Sequence, residues 1–279
     1  MTMDRPGSTS AARIAFVGAG PGEADLITLR GAQRLARAAV VLTDALADPA
    51  LRDLAPQARW LHVGKRGFAD STGQAAINAL LVKSAHDVGA GGLVVRLKGG
   101  DPSLFGRLEE ELQAMAQAGI ACEVVPGVTA ALAAAASAQR PLTRRGSGRS
   151  VCLSTAMTRA APDARTGASA EPASSSPLRA SRHADTEVFY MAGKQLGALA
   201  RQLVHADWPP QTEVCVISRA GWPDELHSDH TVDTLGRASM LHAGRPTVVV
   251  VGAGARPIDA AQPSACDLSP APSKATLNT

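Results

Sequence analysis

RIAFVGAGPG, residues Arg13–Gly22, joins a short apolar run to a glycine-rich loop. The apolar run predicts a β-strand over Arg13–Val17, and glycines directly after a strand let the backbone approach a ligand closely. Dinucleotide-binding proteins have a related loop after their first strand. Gly18, Gly20 and Gly22 lack the G-x-G-x-x-G spacing of that motif, so the loop alone leaves a ligand site and a simple strand-to-helix turn both open.

Downstream of this loop, strand-like and helix-like segments alternate. The predicted strands are Ala39–Thr43, Trp60–Val63, Gly92–Leu97 and Cys122–Val125, and the predicted helices are Leu29–Ala38, Gln74–His86, Arg107–Ala118 and Thr129–Ala138. Alternation of this kind is typical of an α/β fold with a mostly parallel sheet. The acidic start of the helix at Arg107–Ala118 suits the positive end of a helix dipole.

A break rich in proline, glycine and arginine at Gln139–Arg149 separates a second set of elements. These are the strands Val151–Thr155, Glu187–Met191, Glu213–Ser218 and Thr247–Val251, with a helix at Gln195–His205. We therefore predict two α/β domains, over residues 12–140 and 148–255. Low-complexity composition predicts a flexible insertion at 158–185 and flexible tails at 1–11 and 256–279.

The composition excludes several classes of protein. Of the 279 residues 19% are charged and only 3% aromatic, and the formal net charge is +3. With few aromatic rings on which bases could stack, we expect no nucleic-acid partner. The four cysteines form no C-x-x-C motif, so we expect reduced thiols and no metal site. No apolar run approaches the roughly 20 residues that span a bilayer, and no secretory signal is visible, so we expect a cytoplasmic protein without a membrane partner.

Two further motifs follow predicted strands. RLKGGDP, Arg96–Pro102, places two glycines and Asp101 at the carboxyl end of a strand, where parallel sheets form their ligand crevice. Asp101 can accept hydrogen bonds from a ligand, or it can stabilise the turn. EVVPGVTAA, Glu123–Ala131, places Thr129 at a helix start, where it can cap the helix or reach into the same crevice.

Taken together, these motifs resemble one family. In order along the chain they are VGAGPG, DLITL, VGKR, RLKGGDP, FGR, VPGVTAA and YMAG. Their order and spacing over roughly Arg13–Gly254, without the insertion, resemble the tetrapyrrole methyltransferase family. The resemblance implies two α/β domains with the active site in the cleft between them, and it implies a homodimer. It also implies S-adenosylmethionine as methyl donor and S-adenosylhomocysteine as product.

The resemblance assigns roles to individual residues. For the cofactor it implies Pro21, Gly99, Gly100, Asp101, Leu104, Thr129, Ala130, Met191, Ala220 and Pro246. It implies Asp44 as the catalytic proton acceptor and Lys65 as the proton donor, whereas the residues alone also allow a helix cap and a surface charge. Arg66, Arg107 and Arg145 are implied to bind the carboxylates of the substrate, since guanidinium groups bind carboxylates in a bidentate way. An arginine-rich linker at 140–149 is the alternative for Arg145.

The implied reaction is methylation of uroporphyrinogen III at C2 and C7 to precorrin-2, for cobalamin or sirohaem biosynthesis. The sequence departs from the family pattern at several substrate-facing positions: Leu108 and Glu109 replace glycines, Thr43 replaces a tyrosine and Arg144 replaces a histidine. Another corrin-ring methyltransferase, a diphthine synthase, or a degenerate protein that only binds the cofactor are therefore alternatives. A nicotinamide-dependent oxidoreductase is disfavoured by the glycine spacing. No second catalytic module is recognisable, and a stand-alone enzyme is expected.

Overall fold

The first sheet consists of five parallel strands that alternate with helices. This computed structural model describes residues 14–63, 73–157, 178, 180 and 182–258. The strands are β1 (Ile14–Gly18), β2 (Val40–Thr43), β3 (Arg59–His62), β4 (Val94–Lys98) and β5 (Cys122–Val125), in the spatial order β3-β2-β4-β1-β5. The helices are α1 (Leu29–Leu35), α2 (Gln74–Val88), α3 (Leu108–Gln117) and α4 (Ala130–Ser137). Strands β1 and β4 lie near the centre and are buried throughout, as expected of a parallel sheet that is covered on both faces.

The second sheet also has five strands but is mostly antiparallel. The strands are β6 (Val151–Thr155), β7 (Thr186–Tyr190), β8 (Glu213–Ser218), β9 (Leu226–Thr231) and β10 (Thr247–Gly252), in the order β6-β7-β10-β8-β9. Only β6 and β7 pair in parallel. Helix α5 (Leu196–His205) packs its apolar face against this sheet. Short 3₁₀ helices lie at Ala24–Leu26, Pro49–Leu54, Ala192–Lys194, Leu235–Ser239 and Ala253–Ala255.

The predicted α/β fold with two sheets is confirmed, and most element boundaries differ from the predicted ones by two residues or fewer. The predicted first helix ends earlier, at Leu35, because a turn follows it. Strand β9 was missed. Its sequence, LHSDHT, is polar because it lies at the edge of the sheet and alternates exposed and half-buried positions.

Part of the predicted flexible insertion is packed. Leu178 is buried in the core of the second sheet, and the Arg182 guanidinium lies 5.5 Å from the centre of the Trp208 ring. The carboxylate of Asp185 accepts hydrogen bonds from the backbone N–H groups of Arg149 and Ser150. The rest of the segment, 158–177 with 179 and 181, lies outside the described residues, as do the tails 1–13 and 259–279. Among the helices that the structure describes, none has the length and apolar character to cross a membrane.

Candidate active site

A cavity of about 320 Å³ opens where the loops of the two sheets meet. The first sheet contributes residues that follow β1, β2 and β4, together with the start of α4. The second sheet contributes the ends of β7 and β8 and the start of β10. The lining from the first sheet therefore comes mainly from the carboxyl ends of parallel strands, where α/β proteins bind their ligands.

Close backbone packing joins the three glycine-containing motifs. Gly20 and Gly100 exchange backbone hydrogen bonds of 2.9 and 3.3 Å. A Cβ atom on Gly18 would lie 2.6 Å from the Cα atom of Gly127, and 2.7 Å from the carbonyl oxygen of Gly100. Gly18, Gly20 and Gly127 therefore have no room for a side chain, whereas the position of Gly100 favours glycine because its φ is 73°.

A second close approach links the two sheets. The Glu23 N–H donates to the carbonyl oxygen of Gly221 at 2.7 Å. Gly22 and Gly221 have φ angles of 96° and 77°, and a Cβ on either glycine would overlap the backbone of the opposite loop. The last glycine of VGAGPG is therefore needed for contact between the two loops. This requirement explains why the glycine spacing of the motif differs from that of dinucleotide-binding proteins.

The structure brings together all the residues that the resemblance implies for the cofactor. The cavity is lined by Pro21, Gly99, Gly100, Asp101, Leu104, Thr129, Ala130, Met191, Ala220 and Pro246. A Cβ on Gly100 would meet no atom within 4 Å, so the backbone there faces open space. Apolar walls with a few convergent polar groups are typical of small-molecule sites, and they fit a cofactor that has both an adenine ring and charged ends.

Two of these residues also make hydrogen bonds that hold the cavity in shape. Asp101 Oδ2 accepts from the Gly127 N–H at 2.8 Å, and Oδ1 accepts from the Ser103 N–H at 2.7 Å. Thr129 occupies the position before α4, but its hydroxyl makes no capping bond. The Thr129 hydroxyl lies 2.7 Å from the hydroxyl of Tyr190 on β7, so this buried hydrogen bond is a further link between the two sheets.

Tyr190 was not singled out from the sequence, although it belongs to the YMAG motif. Its ring is tilted against that of Phe105, with ring centres 4.9 Å apart, and both line the cavity. Burial raises the pKa of the Tyr190 phenol, so this group stays protonated at neutral pH and can donate a hydrogen bond. Only the spacing of the motif could have indicated the residue, because an isolated tyrosine in a strand is ordinary core.

Asp44 lies at the edge of the cavity, directly after β2. Its Oδ1 accepts from the Leu46 N–H at 3.0 Å and its Oδ2 accepts from the Gly99 N–H at 3.2 Å. The alternative role as a helix cap falls instead to Asp48, which caps the 3₁₀ helix at Pro49–Leu54. Two backbone donors therefore hold the Asp44 carboxylate in one orientation.

A buried charge cluster beside Asp44 was missed by the sequence analysis. The carboxylate of Glu111 is fully buried and lies 2.6 Å from Lys98 Nζ and 3.1 Å from Arg96 Nε. Burial lowers the pKa of Lys98, the Arg96 charge lowers it further, and Glu111 opposes both effects. The signal available in the sequence was the presence of two charged residues inside an otherwise apolar central strand.

The residues predicted to bind carboxylates are placed differently from one another. Arg107 lines the cavity and forms an ion pair with Glu110 at 2.6 Å. Arg145 is exposed and is not among the described residues that line the cavity. Lys65 and Arg66 lie outside the described residues. Arg140, from the same arginine-rich linker as Arg145, is buried.

Arg140 belongs to a separate polar group on the second sheet. The ligating atoms of Cys215, His227 and Asp229 lie within 4.8 Å of one another, a set that can in principle bind a metal ion. The Arg140 guanidinium already binds both carboxylate oxygens of Asp229, at 2.5 and 2.6 Å. Burial raises the pKa of the Cys215 thiol to about 12, so the sulfur is protonated. This group is therefore a hydrogen-bonded network that ties the linker to β8 and β9.

The fold and the cavity define a two-sheet α/β protein with a small-molecule site where the sheets meet. The family model described as Tetrapyrrole (Corrin/Porphyrin) Methylases matches residues 13–236. The chain therefore belongs to the tetrapyrrole methylase family. The description of that family names its members as methylases of corrins and porphyrins.

Individual relatives agree with this membership. Siroheme synthase 1 of Pectobacterium atrosepticum is 41% identical over 240 residues, which are 86% of this chain and 47% of the relative. Siroheme synthase of Baumannia cicadellinicola is 42% identical over 245 residues, 86% of this chain and 49% of the relative. The chain thus spans about half the length of these curated relatives.

Solved structures of the same fold cover most of the chain. A uroporphyrin-III-C-methyltransferase from Thermus thermophilus is 35% identical, with a TM-score of 0.71 over 88% of this chain and 96% of that one. A structure of the enzyme from the same organism complexed with S-adenyl homocysteine is 30% identical, with a TM-score of 0.70 over 86% and 97%. A cobalt precorrin-4 methyltransferase is 26% identical, with a TM-score of 0.73 over 92% and 100%.

Proposed function

We propose that this methyltransferase transfers methyl groups from S-adenosylmethionine to C2 and C7 of uroporphyrinogen III, giving precorrin-2. The observation that carries the proposal is the single cavity that unites the residues implied for the cofactor with Asp44 at its edge. Relatives named siroheme synthase and solved structures named uroporphyrin-III-C-methyltransferase support the choice of substrate.

The cofactor would lie against backbone from both sheets. Gly99, Gly100 and Asp101 would hold its methionine and ribose portions, and Thr129 and Ala130 would bind from the start of α4. Met191, Ala220 and Pro246 would enclose the adenine, with Pro21 and Leu104 completing the pocket wall. The protein's contribution is to hold the donor close to the substrate carbon and in line with it.

When bound, S-adenosylmethionine supplies an electrophilic methyl group. Attack by an electron-rich pyrrole carbon leaves a positive charge on the substrate ring, and a proton must then leave. Asp44 is proposed to accept that proton, since its carboxylate is fixed at the cavity edge by the N–H groups of Leu46 and Gly99. Lys65 is retained as the proposed proton donor.

The acidic periphery of the substrate calls for cations at the mouth of the cavity. Arg107 lines the cavity and is more than half exposed, so its guanidinium is accessible to a carboxylate that displaces Glu110. Arg66 and Arg145 are proposed to bind further carboxylates. The product would supply cobalamin or sirohaem biosynthesis.

A methyl-transfer assay tests the proposal. Purified protein, labelled S-adenosylmethionine and uroporphyrinogen III are combined under anaerobic conditions, and product mass and absorbance are read together. Addition of two methyl groups supports the proposal. Cofactor binding without transfer would contradict it and would favour another corrin-ring substrate, an alternative supported by the likeness to cobalt precorrin-4 methyltransferase, or a degenerate protein that only binds the cofactor.

The role of Asp44 has its own test. We expect Asp44→Ala to lower kcat by about 100-fold or more, the size typical of losing a general base, with little change in cofactor affinity. Asp53→Ala is the matched control, since Asp53 is an exposed carboxylate nearby that does not line the cavity. Equal loss of turnover and of cofactor affinity in Asp44→Ala would show that Asp44 is structural.

We also propose that the protein is a homodimer in the cytoplasm. A groove of about 790 Å³ runs along α4, and the Leu132 and Leu153 side chains in its wall are partly exposed. A second copy of this chain would cover these apolar groups. Cys122, Cys152 and Cys215 are free thiols, as is usual in a reducing compartment. Light scattering after gel filtration measures the oligomeric state, and a monomer would contradict the dimer.

A further inference from the structure

Glu111 lies where three elements of the site converge. Its carboxylate, on the first turn of α3, is completely shielded from solvent. It accepts from Lys98 Nζ at 2.6 Å, from Arg96 Nε at 3.1 Å and from Gln74 Nε2 at 3.4 Å. Arg96 and Lys98 belong to β4, and Gln74 is the first residue of α2.

Arg96 transmits this anchoring to the strand that carries Asp44. Its Nη1 donates to the carbonyl oxygens of Leu97 at 3.0 Å and of Leu42 at 3.4 Å. Leu42 lies on β2, two residues before Asp44. The guanidinium therefore links the carboxyl ends of β2 and β4.

Lys98 acts on the other side of the same turn. It directly precedes Gly99, whose N–H donates to Asp44 Oδ2 at 3.2 Å. Its side chain also lies against the loop that carries Arg107, since a Cβ built on Gly106 would lie 3.1 Å from Lys98 Cε. One buried carboxylate thus holds, through two cations, both the Asp44 turn and the Phe105–Arg107 loop.

The charges make this arrangement sensitive to change. Glu111 bridges two buried cations, and a neutral amide in its place would leave them facing each other and would present a donor to one of them. Removing one partner from a buried ion cluster costs more stability than the intact cluster contributes, because it leaves an uncompensated buried charge. A mutation at Glu111 should therefore displace the segments that Arg96 and Lys98 hold before it affects the rest of the fold.

Glu111 is part of the cavity wall, but its side chain has no solvent exposure and is bonded to Lys98 and Arg96. We propose that Glu111 is a positioning residue for methyl transfer: it fixes the orientation of Asp44 and the Phe105–Arg107 loop through these bonds. The proposal rests on the function proposed above. The cofactor loop has additional anchors that do not involve Glu111, since Gly100 bonds to Gly20 and Asp101 bonds to Gly127. Loss of Glu111 should therefore impair turnover much more than cofactor binding.

The test compares Glu111→Gln with Glu109→Gln, an exposed glutamate on the same turn of α3. Hydrogen exchange is measured by mass spectrometry on peptides that cover 42–46 and 97–107, with peptides from the second sheet as internal reference. We expect at least about tenfold faster exchange in Glu111→Gln within those peptides, corresponding to about 1.4 kcal/mol of local opening, and no change in Glu109→Gln. Exchange in Glu111→Gln equal to wild type would overturn the proposal.

Kinetics supply the second readout. We expect kcat of Glu111→Gln to fall by at least about tenfold while the dissociation constant of S-adenosylmethionine changes by less than about threefold. Glu111→Asp, which keeps the charge, should recover part of the turnover. Equal losses in kcat and cofactor affinity, or no recovery in Glu111→Asp, would make Glu111 a general structural residue and overturn the proposal.

Two measures keep the test decisive. If Glu111→Gln does not fold, Lys98→Met is used, because it leaves the pair of Arg96 and Glu111 intact, and the same local change in exchange is expected. Wild-type exchange in a folded Lys98→Met would then count against the proposal. The exchange experiment needs no substrate, so an inactive wild-type protein would refute the proposed function and still leave the positioning role to be judged by exchange.

Discussion

The stability of the protein should fall between pH 6.5 and pH 4 because of one buried histidine. His242 has no solvent exposure. Its Nδ1 lies 2.6 Å from the Ser218 hydroxyl and its Nε2 lies 2.8 Å from the Ser228 hydroxyl. The Ser218 hydroxyl lies 2.7 Å from that of Thr247, and Thr247 donates to the carbonyl oxygen of Arg245. When the Ser218 hydroxyl donates to Thr247, it accepts from Nδ1–H of His242. The Ser228 hydroxyl then donates to Nε2, so the neutral imidazole satisfies every hydrogen bond in this series.

Burial lowers the pKa of His242 to about 4, helped by the nearby charges of His230, Arg245 and His227. An unfolded chain has a histidine pKa of about 6.5, so between these values the unfolded state binds more protons. The contribution of His242 is therefore fully present above about pH 6.5 and is lost as the pH falls towards 4. A difference of about 2.5 pH units corresponds to about 3 kcal/mol of unfolding free energy.

Urea denaturation at intervals from pH 4.5 to pH 7.5 measures this effect. We expect wild type to lose stability through that range, and His242→Asn to be less stable at pH 7.5 and to lose less on acidification. His86→Asn, at an exposed position near the end of α2, is the control and should follow wild type. Since burial also lowers the pKa of His230, some pH dependence will persist in His242→Asn. Parallel curves for wild type and His242→Asn would refute the reasoning.

Two further substitutions test the contacts between the sheets. Gly221→Ala should weaken cofactor binding and lower the melting temperature, because its new Cβ would overlap the Pro21 carbonyl. Gly244→Ala is the control: it has a similar positive φ but no atom within 4 Å of its Cβ, so it reports backbone strain without the overlap. Equal effects in calorimetry for the two alanine variants would reject the overlap as the cause. Tyr190→Phe should lower the unfolding free energy by about 1–2 kcal/mol, because it leaves the buried Thr129 hydroxyl without its partner, and unchanged urea stability would show that this bond contributes nothing.

The sequence alone predicted those parts of the molecule that depend on backbone geometry. Glycine at Gly18 and Gly127 is required by close approach and at Gly100 by a φ of 73°, and such requirements are visible as motifs. Alternation of apolar runs likewise identified all five strands of the first sheet. Strand β9 escaped because polar edge strands lack the apolar alternation by which strands are recognised.

Buried charge was the main feature that the sequence could not reveal. The three glutamates that begin α3 were explained together by the helix dipole, yet Glu109 is exposed and Glu111 is completely buried. Which face of α3 turns towards β4 depends on how the helix packs. Arg96 and Lys98 gave the corresponding hint within β4, but pairing them with Glu111 required the tertiary structure.

The departures from the family pattern bear differently on cofactor and substrate. Leu108 and Glu109 replace family glycines, but both lie in the first turn of α3: Leu108 packs against the core and Glu109 points to solvent. Neither lines the cavity, whereas Phe105, Gly106 and Arg107 before them do. These two substitutions therefore change how the helix begins without changing the cavity wall. A change of substrate would therefore have to come from the side chains at the cavity entrance. We expect substitutions of the arginines there, and not the replacement of these two glycines, to alter substrate specificity.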